Sequence, residues 1–128
     1  MDIELFGYWT AVDETRIDES REEIKRQLGE YTAGERREFD LTVAYPEDFL
    51  GEVMNAMGKI PYGDVCTYGE LADRIDTAAV AVGQACGRNP VGPIVPCHRV
   101  VGHDSLGGFS SEGGVALKRC LLDHEGAF

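Results

Sequence analysis

Thr67-Tyr68-Gly69-Glu70 constrains this chain more than any other stretch. It reads as a capping box: the threonine hydroxyl accepts from the backbone three residues on, and the glutamate reaches back to the threonine N–H. That fixes where one helix starts, and Leu71, Ala72 and Ile75 then fall on its inward face. Asp76-Thr77 breaks the helix, and Thr77 can cap a second one over 78–86, ended by Gly87-Arg88-Asn89-Pro90. Two short helices joined by so tight a turn predict a helix-turn-helix over about 67–86.

The second of these helices is nearly bare, with Ala78, Ala79, Ala81, Gly83 and Ala85. A helix built to read the major groove carries long polar side chains. A smooth one permits close approach, either to a neighbouring helix or to a nucleic-acid backbone or narrow groove. Upstream, Pro46 is placed to open a helix at its first turn, with Phe49, Leu50, Val53, Met54 and Met57 on one face and Gly58 at its end. Residues 1–12 look like a short strand, 18–32 a charged helix with Ile24 and Leu28 one turn apart, and 39–43 an alternating strand. These give a thin unit over 1–43 with little core of its own, followed by a domain over 44–128. Gly107-Gly108 and Gly113-Gly114 predict a flexible loop over 102–114, and a last helix over about 115–124 is expected to bury Val115, Leu121 and Leu122.

At 128 residues and 43% hydrophobic, the chain suits one domain with a real core, and no run approaches the length of a membrane helix. A cytoplasmic protein without a signal segment is the expectation. The net charge of −11, from 23 acidic and 12 basic side chains, taken alone argues against a nucleic-acid partner. The distribution tempers this. Acids crowd into 13–48, whereas 86–101 holds Arg88 and Arg99 and no acid. Lysines are only Lys25, Lys59 and Lys118. An acidic, lysine-poor surface fits a protein of a salt-saturated cytoplasm, and equally an ordinary solubilising surface.

Chemistry concentrates in Ile94-Val95-Pro96-Cys97-His98-Arg99-Val100-Val101. A thiol among apolar residues is usually core filler, but one beside a histidine and an arginine is poised for deprotonation. Cys66, Cys86, Cys97 and Cys120 match no zinc spacing and no CxxC, so all four read as reduced thiols with Cys97 the reactive one. No metal site is expected, including one from Cys97, His98 and His103.

The order Ile60-Pro61-Tyr62-Gly63, helix-turn-helix, Gly87-Arg88-Asn89-Pro90, Pro96-Cys97-His98-Arg99-Val100, glycine-rich loop and Leu121-Leu122-Asp123-His124-Glu125-Gly126 resembles the O6-alkylguanine-DNA alkyltransferases. The resemblance runs from about Phe39 to the C-terminus. It implies an α+β fold: a shortened N-terminal αβ unit, then a mostly helical alkyltransferase domain. It implies single-turnover, irreversible transfer of a methyl or small alkyl group from guanine O6, with thymine O4 as a second candidate, to Cys97. No cofactor is needed. In this reading His98 is the base, acting through a water, and Glu125 orients it. Tyr68 helps the departing guanine, Asn89 ties the turn to the cysteine segment, and the carbonyls of Cys97 and Val100 accept from the guanine amino group. Arg99 is structural. The partner is double-stranded DNA, bound through its minor groove by a monomer, with the lesion flipped out of the stack. The DNA- and substrate-binding positions carried over are Val80, Ala81, Gly83, Arg88, Val100, Phe109, Ser110 and Ser111.

Three departures stand out. Val80 occupies the place of an arginine that fills the gap left by the flipped base; valine can act only as a short apolar wedge, with Arg88 a candidate helper. The N-terminal unit is short. Cys120 replaces a common tryptophan. Two other classes stay open: an alkyltransferase-like protein that binds lesions without chemistry, and a thiol hydrolase, for which nothing in the residues demands an oxyanion hole.

Overall fold

The computed structural model describes residues 1–108 and 113–128. The architecture is α+β, five α-helices with two small two-stranded sheets among the described residues. Strands β1 (Asp2–Leu5) and β2 (Tyr8–Ala11) pair antiparallel, with Ile3 opposite Thr10. The expected single strand is therefore a hairpin, turned at Phe6 and Gly7, whose φ values of 53° and 84° place both in the left-handed region. Helix α1 (Arg21–Thr32) starts where the Ser20 hydroxyl accepts from the Glu23 amide, and it buries Ile24, Gln27, Leu28 and Tyr31.

Residues 39–43 do not form the predicted strand; only Val43 bridges, to Ile17. Side chains take the backbone groups a ladder would have used. Gln27 donates to the Asp40 carbonyl at 3.0 Å and accepts from its amide at 2.8 Å, and Glu19 accepts from the Thr42 amide at 2.7 Å.

Helix α2 (Phe49–Met57) begins later than Pro46, because the Asp48 carboxylate accepts from Gly51 N–H and sets the start. Gly58 ends it, and Val53, Met54 and Met57 face the core. The capping box is present in both directions at α3 (Tyr68–Arg74). Helix α4 (Ala79–Cys86) follows, but Thr77 does not cap it. Ala78 stands at the cap with no side-chain bond, and the Thr77 amide instead donates to the Ala72 carbonyl, closing α3. Helix α5 (Gly114–His124) buries Leu117, Lys118, Leu121 and Leu122, while Val115 is 44% exposed and belongs to the outer face.

One cluster of buried side chains holds the molecule together. Ile3, Leu5, Ile24, Leu28 and Tyr31 join Met54, Leu71, Val82, Leu117 and Leu121 in it, so the first 43 residues share a core that they are too few to build alone. Among the described residues no helix is long and apolar enough to cross a membrane.

Two threonines distinguish a real cap from an apparent one. Thr67→Ala is expected to destabilise the fold by about 1 kcal/mol. Thr77→Ala should stay within about 0.5 kcal/mol of the parent. Thermal unfolding of the two variants measures the difference.

Candidate active site

A short parallel pairing aligns the site. Strand β3 (Cys66–Thr67) pairs with β4 (Val100–Val101), Cys66 opposite Val100 and Thr67 opposite Val101. β3 runs straight into α3 and β4 straight out of the 3₁₀ turn Cys97–Arg99. Tyr68, the first residue of α3, is thereby registered against the cysteine turn. The turn closes through Arg99 N–H donating to the Pro96 carbonyl at 3.1 Å. Asn89 clamps the preceding loop: its side-chain amide donates to the Val95 carbonyl at 2.9 Å, and its carbonyl oxygen accepts from Val91 N–H at 3.2 Å. Gly92 is a site residue that the sequence reading passed over. A Cβ there would lie 3.3 Å from the Cys97 sulfur and 3.5 Å from the Asn89 amide nitrogen, so glycine leaves the thiol its room.

The histidine next to the thiol in the chain meets a buried carboxylate. Glu125 caps α5, and its side chain is wholly inaccessible. Its Oε2 is 2.8 Å from His98 Nε2, accepts from Arg99 Nη2 at 3.0 Å, and accepts from the Tyr31 hydroxyl at 2.6 Å. Its Oε1 accepts from Arg99 Nε at 2.8 Å. Arg99 is anchored in turn by donating from Nη1 to the Ile60 carbonyl at 2.7 Å, within the Ile60-Pro61-Tyr62-Gly63 turn. Burial pushes the Glu125 carboxyl up, but the hydrogen bonds from His98, the Arg99 fork and the Tyr31 hydroxyl outweigh it and hold it at about 2.

An ionised carboxylate only accepts, so His98 must carry its proton on Nε2. Burial lowers the His98 pKa; Glu125 opposes this, while the Arg99 and Lys118 charges add to it. The imidazole is thus neutral at neutral pH, and its Nδ1 is a bare acceptor. That Nδ1 is buried and has no hydrogen-bond partner among the described residues. Cys97 is buried, 6% exposed. Burial raises its pKa, against the opposing pull of the Asn89 amide and the Lys118 ammonium. The resting group is therefore a thiol that needs a base.

Lys118 is the second residue sequence reading missed. It is fully buried, donating from Nζ to the Val100 carbonyl at 2.7 Å and the Gly108 carbonyl at 3.0 Å, and it stands 5.7 Å from the centre of the Tyr68 ring. A lysine sharing the apolar face of Leu117, Leu121 and Leu122 was the available signal. Gly107, at φ 75°, lies against Tyr68: a Cβ there would meet the phenol oxygen at 2.6 Å. Burial first, then Cys86 and Cys97, raise the Tyr68 pKa, so this phenol remains a donor. Cys86, 3.5 Å from the Met57 sulfur, is held by burial at about 12 and is inert.

The other expected positions divide. Val80 is 72% exposed, Ala78, Ala79 and Arg88 are exposed, and Ala81 and Gly83 are half-buried, while Val82, Ala85 and Cys86 face inward. Apart from Val80 and Gln84, the outer face of α4 carries only small side chains. The Cys97 carbonyl already accepts from Val100 N–H and the Val100 carbonyl from Lys118. His103 is exposed and pairs with Asp104 at 3.0 Å. Phe109, Ser110 and Ser111 lie outside the described residues. A cavity of about 450 Å³ opens behind the turn, lined by Pro96, Arg99 and Tyr62 but not by Cys97.

Comparison with known proteins gives the family. The family model described as the DNA-binding domain of 6-O-methylguanine DNA methyltransferase matches residues 48–127. A methylated-DNA–protein-cysteine methyltransferase of Methanosarcina acetivorans is 47% identical over 110 residues, 82% of this chain and 69% of the relative. One of Archaeoglobus fulgidus is 41% identical over 114 residues, 85% of this chain and 78% of the relative. The crystal structure of a Mycobacterium tuberculosis enzyme of this kind in complex with DNA superposes with a TM-score of 0.77 at 44% identity, covering 83% of this chain and 67% of that one. With a matching family model, matching relatives and a cysteine turn seated on a buried histidine–glutamate pair, the chain belongs to the methylated-DNA–protein-cysteine methyltransferases.

Proposed function

We propose that this protein repairs DNA by moving a methyl or small alkyl group from O6 of guanine, and in principle from O4 of thymine, onto Cys97. The carrying observation is the neutral His98, locked by Glu125 with Nδ1 left free, one residue from a buried thiol. Displacement at a saturated carbon needs a soft nucleophile. His98 Nδ1 takes the thiol proton through a water. The Cys97 sulfur forms a bond to the alkyl carbon as the carbon–oxygen bond to guanine breaks. Tyr68 supplies a hydrogen bond to the departing guanine, whose net gain is the thiol proton. The thioether has no route back, so each molecule acts once.

The DNA surface in this reading is the outer face of α4, with Val80, Ala81 and Gly83 in the minor groove and Arg88 at its edge. Val80 wedges into the stack where the flipped base has left. Asn89 ties the preceding turn to the cysteine segment, and the carbonyls of Cys97 and Val100 accept from the guanine amino group. Residues 1–43 form a shortened N-terminal unit, 44–128 the DNA-binding and alkyl-acceptor domain, and the protein works as a monomer in the cytoplasm. Its excess acid suits a salt-rich interior, where phosphate attraction is screened and groove fit dominates.

Intact mass after mixing with a duplex containing O6-methylguanine tests the reading. Wild type should gain one methylene mass at one equivalent, and Cys97→Ala none. Binding without mass gain would instead mark a lesion sensor, with the exposed Val80 as its cause. Salt supplies the next check: lesion-duplex affinity should fall by less than about tenfold between 50 and 200 mM salt, whereas a protein making many phosphate contacts loses far more.

A further inference from the structure

Tyr31 lies in the last turn of α1, far in sequence from the cysteine turn, yet it ends on the same oxygen as the base. Its ring is fully buried against Phe39, Tyr62 and His124, at centroid distances of 5.3, 6.3 and 5.1 Å. Its backbone carbonyl accepts from His124 Nε2 at 2.6 Å, so α1 and the end of α5 are joined twice, once through backbone and once through the phenol. Its hydroxyl donates to Glu125 Oε2 at 2.6 Å, the oxygen that also accepts from His98 Nε2.

We propose that Tyr31 is a positioning residue for alkyl transfer, its phenol occupying one lone-pair direction of Glu125 Oε2 so that the N-terminal part of the chain sets how the His98 base is held. The inference deepens the proposed function and rests on it for its kinetic arm. The phenol is a permanent donor, since burial and the Glu125 charge raise its pKa well above the ordinary value. A shared donor spreads the charge on Oε2. Without it, more of that charge acts on the imidazole, and the imidazolium becomes easier to form. The groups facing this oxygen are few. They are Tyr31 from α1 and His98 and Arg99 from the cysteine turn; around them, the Lys118 charge from α5 acts on His98, and His124 from α5 and Tyr62 from the turn after α2 pack edge-on to the Tyr31 ring. Arg99 is held in place by Ile60 and Lys118 by Val100 and Gly108, so neither is free to replace the phenol.

Tyr31→Phe keeps the ring contacts and removes only the hydroxyl. NMR titration of His98 in the full chain should show its pKa moved up by about half a pH unit or more. In the alkyl-transfer assay the acid limb should move with it, so the rate falls by about threefold at a pH well down that limb and recovers at higher pH. In a Glu125→Gln background the same substitution should leave the His98 titration unchanged, because the charge it redistributes is gone. A His98 titration identical in wild type and Tyr31→Phe overturns the proposal, and so does a rate lowered equally at every pH. The NMR arm requires no alkyl transfer, so absence of transfer by wild type would count against the functional reading and leave this one to be judged by the titration.

Discussion

The Glu125 carboxylate is the point on which the rest of the site depends. It is buried, and it accepts from His98, from two nitrogens of Arg99 and from Tyr31. A buried charge is tolerated only when its lone pairs are filled, and losing one partner costs several times what a surface pair contributes, about 3–5 kcal/mol. The donors come from the cysteine turn and from α1, while Arg99 carries the connection to the turn after α2 through Ile60. One anion therefore fixes three segments that are distant in sequence, and the chemistry sits where they meet.

That arrangement sets the protonation states. The ionised carboxylate claims the Nε2 proton of His98, and full burial with two nearby cations keeps the ring neutral. The same burial keeps Cys97 a thiol at rest. The site thus holds a protonated thiol and a neutral imidazole rather than a free thiolate exposed to oxidation. Cys86 shows what burial does without such a partner: its thiol is pushed up to about 12 and rests against Met57.

Much of this was legible in the residue order because it is local. The capping box at Thr67 and Glu70, the end of α2 at Gly58 and the Pro96-Cys97-His98-Arg99-Val100 motif each depend on residues within a few positions of one another. What escaped is long-range. Tyr31 continues the Ile24–Leu28 face of α1, and nothing nearby announces that its hydroxyl meets Glu125. Lys118 looked like one of three surface lysines until its α5 face proved to point at two carbonyls of the site. Gly92 matters only through its closeness to the Cys97 sulfur. The strand expected over 39–43 failed for the converse reason: its alternation was real, but Gln27 and Glu19 claimed its backbone.

The central claim is the state of one imidazole. Nitrogen-detected NMR of His98 at neutral pH measures it directly. The account predicts a neutral ring with the proton on Nε2 and a bare, acceptor-type Nδ1. An imidazolium, or a neutral ring with its proton on Nδ1, would contradict it, because Nδ1 would then be unable to accept a proton.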